Sequence, residues 1–432
     1  MKWWLVIGSL LLVYHFWLLS PRFNLGPDLS YSFAPIISGL PLPWTWINTL
    51  VGDGMGISIV HTLWTYPMQV LFQSALQWGI PFVWQMKYLA LLPMLAVGMW
   101  GMWRVSKILA VDAGTATLIW LVNFYFLLLI DGGQLNLAIA ICLIPPCFYW
   151  YHQAVQGKWR DKLRFGLGVW LMGSFDIRII IILAIILGLY TLVYRLRLAS
   201  VISVCILTTL VMIVLNLYWL VSLFTSGRPI LPVNYSSSFK VEQLSFASVT
   251  HSLYLQHPNW YLNQFGVIIS AKWYFAGLAL LAWMVPLLWK EKKIIFLTGL
   301  SLIGIFLAKG SQPPLTQVYP WLFAHIPGFN LFRDSSKFMI LTAFSYALLI
   351  GNLVARLTSR FKFLPWLIGG YILVLALPVI SGRMTGTFAP VPWEKEYLSL
   401  VRWLSDQPDF FRTLWIPTRP SLGYVSSSHP ST

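Results

Sequence analysis

The chain has 432 residues, is 58% hydrophobic and only 10% charged, and has a mean hydropathy of +0.72. A water-soluble domain carries about 25% charge, so a soluble globular protein is excluded and a polytopic membrane protein is indicated. The formal net charge of +16 invites a nucleic-acid reading, which the distribution of that charge along the chain argues against.

In chain order, apolar runs of about 17 to 25 residues predict spans near 3–20, 81–103, 109–130, 134–152, 165–175, 177–194, 199–224, 273–289, 294–309, 337–355 and 363–380. The pair 165–175 and 177–194 is interrupted by GSFDIR, and its first member is short. The fold class is therefore an all-α polytopic membrane protein of about 11 transmembrane helices. The first run, WWLVIGSLLLVYHFWLLS, lacks a small-x-small cleavage site and reads as a retained helix.

With the N-terminus inside, the inner connections hold Lys2, Arg104, Lys107, Lys158, Arg160, Lys162, Arg164, Arg195, Arg197, Lys290, Lys292, Lys293, Arg356, Arg360 and Lys362. Only Asp112, Asp161 and Glu291 oppose them. The positive-inside rule accounts for most of the basic excess. Cys142, Cys147 and Cys205 all fall inside spans and imply no disulfide framework.

The outer connections are long at 21–80, 225–272 and 310–336. Residues 57–78 mix apolar and polar positions and predict one or two amphipathic helices on the outer interface. DGGQ at 131–134 and FDIR at 175–178 read as tight turns. From 381 the hydropathy falls and the charge rises. EKEYLSLVRWLSD reads as an amphipathic helix and FFRTLWIP as a strand. The division is thus a membrane domain, 1–380, followed by the opening of an extracytoplasmic domain, 381–432. This tail reads as truncated.

The outer side, the tail apart, carries only six carboxylates: Asp28, Asp53, Asp131, Asp176, Glu242 and Asp334. Ionisable groups at the edge of a membrane domain are functional candidates, yet each has a structural alternative. Asp28, after Gly-Pro, suits an Asx-turn or helix N-cap. Asp53 in GDGMG suits a turn, and the segment lacks the Lys-Ser/Thr of a phosphate-binding loop. Asp131 suits a reverse turn. Asp176 and Arg178 either pair at a helix break or face a cavity. Asp334 suits an N-cap for the helix beginning at SSKF. The histidines show no HExxH spacing and there is no DxD or ExD pair, so no motif supports a bound metal.

Three segments, GPDLSYSFAPI, TLWTYPMQVLF and IPGFNLFRDSSKF, together with the order of spans and outer loops, resemble the GT-C superfamily. Within it they are similar to the large arabinofuranosyltransferase-like proteins and related bacterial and archaeal membrane proteins. The resemblance implies an integral-membrane glycosyltransferase that moves a sugar from a polyprenyl-phosphate donor to a glycan or lipid-linked acceptor, at the outer face of the plasma membrane. It maps Asp28 onto the catalytic base, and Arg333 and Lys337 onto a later basic element that holds the donor phosphate. No acidic pair stands near Asp28.

The chemistry is consistent with so few acids. The leaving group is already a phosphate anion, so one base and several fixed cations suffice. Arg178 and Arg228, outer cations near predicted membrane boundaries, join the phosphate-binding candidates; snorkelling is their alternative. Asp53, His61, Tyr66, Trp260 and Tyr261 are candidates for acceptor or sugar contact, and the last two equally suit anchoring of their loop at the interface. The loop 225–272 suits a lid. A transporter or flippase for lipid-linked glycans is the alternative from another class. It predicts charges in mid-span and broken helices in both halves, whereas GSFDIR is the single clear break. A non-catalytic scaffold of envelope assembly predicts scattered outer charges with no shared cavity.

Overall fold

The computed structural model describes residues 3–19, 46–47, 57–58, 66–225, 245–257, 271–384, 399–400, 402–404 and 406–407. Every predicted span coincides with helix in the structure. Four helices among the described residues are long and apolar enough to cross a membrane: Phe82–Leu109, Leu135–Ala154, Leu198–Val221 and Ser335–Leu357. The bent pair Ala113–Val122 and Phe124–Asp131 makes a fifth if counted as one span. Trp3–Leu19, Arg178–Tyr194, Trp273–Leu288 and Leu364–Leu375 are shorter apolar helices. Length and hydropathy thus support four or five spans directly, against the eleven expected.

The bundle is built around Ser335–Leu357, whose apolar window is 94% buried. It packs against Lys292–Ala308, Ala113–Val122 and Ala276–Leu288. Glycines permit the closest approaches. A Cβ on Gly304 would lie 2.8 Å from the backbone nitrogen of Thr342, and one on Gly101 would lie 2.1 Å from Cδ of Pro146. Without lipid-driven hydrophobic association, such backbone contact is a main source of packing energy between membrane helices. The first helix, Trp3–Leu19, docks on this core through the Tyr14 hydroxyl, which donates to the Leu121 carbonyl.

Two helices depart from simple rods, each for a local reason. The predicted span 109–130 is bent by 40° between Val122 and Phe124. Asn123 serves both sides of the break. Its Oδ1 accepts from Phe126 N at 3.0 Å, and its Nδ2 donates to the carbonyls of Ile119 and Trp120 at 3.2 and 2.7 Å. One side chain thereby satisfies orphan groups of both helix ends. In Phe82–Leu109, residues Gln85–Leu91 form a π-helical turn, with Leu92 N–H bonding back to the Lys87 carbonyl. Pro93, next in the chain, has no N–H to give the α-helical ladder, and the wider turn absorbs that loss.

The amphipathic stretch 57–78 contains one described helix, Tyr66–Gln77. Residues 57–58 pair instead with 46–47 in a short antiparallel ladder, Trp46 opposite Ser58 and Ile47 opposite Ile57. This is the one strand pairing among the described residues, in a chain expected to be all-α. In the tail, 399–400 and 402–404 are helical, as the EKEYLSLVRWLSD pattern predicts, and the predicted strand lies outside the described residues.

Candidate functional site

Residues of four segments converge on a buried ionic cluster. The first contribution comes from the turn after Phe332. Asp334 is the N-cap of the 3₁₀ turn Ser335–Phe338: its Oδ1 accepts from Ser336 N at 3.0 Å and from Ser336 Oγ at 2.7 Å. Its Oδ2 accepts from Lys337 Nζ at 2.8 Å. The expected capping role of Asp334 is present, and the same carboxylate also neutralises a lysine whose side chain is only 5% exposed.

The second contribution is the break at FDIR. Asp176 ends the helix Trp159–Phe175, and Arg178 begins the helix Arg178–Tyr194. The backbone N–H of Arg178 bonds Asp176 Oδ1 at 3.0 Å, and the guanidinium grips both carboxylate oxygens, Nε at 2.9 and 3.2 Å and Nη2 at 2.5 Å. This forked pairing is the strong geometry for arginine and carboxylate. Of the two readings of this pair, mutual pairing at the break is the one observed.

The pairs are not independent. Lys337 feels the charges of Arg178 and Asp176, and Arg178 feels that of Asp334. His257, buried at the end of the described segment 245–257, brings Nε2 to 3.7 Å from Asp334 Oδ1, too far for a hydrogen bond. Its ring lies against Tyr125, with centroids 6.3 Å apart. Tyr125 is itself buried and within electrostatic reach of Asp334, Arg178 and Asp176. Burial opposes ionisation of both aspartates, but the cations prevail. Lys337 and His257 hold the Asp334 carboxyl well below its ordinary range, and Arg178 and Lys337 hold Asp176 below its own.

Among the phosphate-binding candidates, Arg178 and Lys337 are therefore brought together. They differ in what they still offer. Lys337 is buried and turned to Asp334. Arg178 is 34% exposed on its side chain, and its Nη1 donors make no hydrogen bond among the described residues. Arg333 is exposed, beside the cluster in sequence. Tyr66 lies elsewhere in contact, its ring 5.8 Å from that of Tyr218. Asp28, Asp53, His61, Arg228, Trp260 and Tyr261 lie outside the described residues. His257, Tyr125 and Ser336 were not among the sequence candidates. SSKF was visible as a helix start, but nothing local in the sequence ties it to a histidine in another loop. Among the described residues, no group of three His, Cys, Asp or Glu side chains is arranged to hold a metal ion.

Comparison with protein-family models gives no match, and comparison with curated proteins gives none either. Among solved structures, the chain is similar to the arabinofuranosyltransferase AftD from mycobacteria, determined by single-particle cryo-EM. The TM-score is 0.63 at 16% sequence identity, and the match covers 93% of this chain. It covers 28% of that chain, so this chain spans under a third of the length of the protein it matches. The likeness shows that this chain shares the fold of that part of the arabinofuranosyltransferase.

Proposed function

We propose that this chain is a membrane glycosyltransferase that takes a sugar from a polyprenyl-phosphate donor and passes it, with inversion, to a glycan or lipid-linked acceptor at the outer face of the plasma membrane. The observation that carries the reading is the shared fold with a mycobacterial arabinofuranosyltransferase over nearly the whole chain. Asp28 takes the proton from the acceptor hydroxyl. The departing phosphate needs no proton, only fixed positive charge. Arg178 is the best equipped of the described cations for that task, since Asp176 fixes one edge of its guanidinium and leaves the other edge with donors to spare. Lys337, Arg333 and Arg228 complete the basic set. Asp53, His61, Tyr66, Trp260 and Tyr261 contact the sugar or the acceptor.

The test is transfer in membranes containing the chain, supplied with polyprenyl-phosphate sugars. Wild type is expected to transfer. Asp28→Asn is expected to lose about 100-fold or more of the rate, the usual contribution of a positioned base. Full activity in Asp28→Asn overturns the assignment of the base. No transfer from any polyprenyl-phosphate sugar by wild type overturns the reaction.

A further inference from the structure

At the opposite end of the bundle from the ionic cluster, the helix Phe82–Leu109 closes with the sequence WGMWRVSK. Arg104 lies in the angle between this helix and Ile144–Ala154, one turn beyond the contact of Gly101 with Pro146. Three rings surround its guanidinium: the carbon lies 4.8 Å from the centre of Trp103, 5.2 Å from Tyr149 and 5.5 Å from Trp100. Trp100 also packs on Tyr149 and Trp150, with centroids 5.8 and 5.7 Å apart, so the ring set is continuous. Lys107 lies over Trp103, its Nζ 3.7 Å from the ring centre. Neither cation has a carboxylate within ion-pair distance among the described residues, and Nε of Arg104 is buried with no hydrogen-bond partner among them.

A housing of three rings sets Arg104 apart from other basic groups: Arg356 lies over one ring, Trp289, at 4.8 Å, and Arg360 beside one, Phe361, at 5.7 Å. Arg356 is tied to Glu291, Arg164 to Asp161, and Lys293 to Glu291. Positive charge placed for topology alone needs no housing. Here two cations rest on aromatic faces at the end of an apolar span, and no carboxylate of the described residues balances either. Indole and phenol rings settle at the headgroup level of a bilayer, which sets Arg104 and Lys107 at the depth of lipid phosphates. The rings supply attraction to the cations without neutralising them.

We infer that Arg104 and Lys107, on the shelf of Trp100, Trp103 and Tyr149, form a binding site for the phosphate headgroup of an anionic membrane lipid. Arg104 offers a planar fork to the phosphate oxygens, Lys107 a point charge on the exposed side, and the apolar span beneath leaves room for acyl chains along its lipid-facing surface. The site is separate from the proposed transfer chemistry and does not depend on it.

The test uses the purified full chain in neutral detergent, titrated with phosphatidylglycerol or phosphatidylcholine, with retained lipid read by native mass spectrometry. Wild type is expected to retain phosphatidylglycerol over phosphatidylcholine. Arg104→Gln with Lys107→Gln is expected to lower that retention by about tenfold or more, from roughly tenfold in binding per 1.4 kcal/mol and about 1 kcal/mol per basic group at an anionic surface. Arg195→Gln with Arg197→Gln removes two exposed cations of another basic connection and is expected to leave retention unchanged. Because Arg104 is packed among rings, Lys107→Gln alone, at an exposed position, provides the check against misfolding and is expected to lower retention in the same direction. The inference is overturned if wild type shows no preference for phosphatidylglycerol, if Lys107→Gln alone leaves retention unchanged, if both charge pairs lower it equally, or if inorganic phosphate at the lipid's concentration displaces it.

Discussion

Asp334 carries three duties with one carboxylate: it caps a turn, pairs with Lys337 and faces His257. Removing it strands a lysine that is almost fully buried. Asp334→Asn is therefore expected to cost about 3 kcal/mol or more of stability, as for other broken buried pairs. Asp334→Asn combined with Lys337→Met takes away the stranded charge and is expected to recover most of that loss. A double-mutant cycle of unfolding in detergent measures it. The same carboxylate gives the protein an acid limit. Its folded pKa lies well below the unfolded value, so its contribution is complete above about pH 4, near the ordinary carboxylate pKa, and is lost as pH falls below that through the folded value. Wild-type thermal stability is expected to fall over that acid range, and Asp334→Asn to fall less. The pairing of Asp176 with Arg178 was legible because two residues at a helix break can reach each other. The approach of His257 to Asp334 was not, because it depends on how separate loops come together.

Elements were legible to the extent that hydropathy alone makes them. Each apolar run became helix because a backbone without water must bond within its own segment. The bend at Asn123 escaped notice because FYFLLLID, which follows it, continues the apolar pattern without pause. The information sits in one amide that caps what it interrupts. Close helix contacts are similarly silent in sequence, since an interfacial glycine and a lipid-facing one look alike. Gly101 is the clearest instance: a Cβ would meet both the ring and the backbone nitrogen of Pro146, at 2.1 and 2.5 Å, and a proline cannot swing aside as a long side chain can. Gly101→Ala is expected to destabilise by about 1–3 kcal/mol, read as a drop in thermal stability. Gly188→Ala, where nothing lies within 4 Å, is expected to be neutral by the same measurement.

For the molecule as a whole, the order of spans and loops and three short segments led to a GT-C fold, and the shared fold with a mycobacterial arabinofuranosyltransferase agrees. What the order of spans does not convey is how unevenly the helices share the interior. Ser335–Leu357 is almost wholly enclosed, whereas only 6% of the apolar window of Leu198–Val221 is buried. That outer helix is held along one flank, by Val211 against Gly166 and by a hydrogen bond from Lys162 to Ser203. Its 24 residues extend about 36 Å at the α-helical rise, longer than the roughly 30 Å of a typical hydrocarbon layer. The 17 residues of Arg178–Tyr194 reach only about 26 Å. Lipid meets a long helix on one side of the protein and shorter neighbours beside it, so the bilayer cannot match both. An excess of helix length is accommodated by tilting, by kinking or by local thickening of the bilayer. Of the long apolar helices, Leu198–Val221 has the least interior packing to oppose such an adjustment, so bilayer thickness is expected to act on this protein there first.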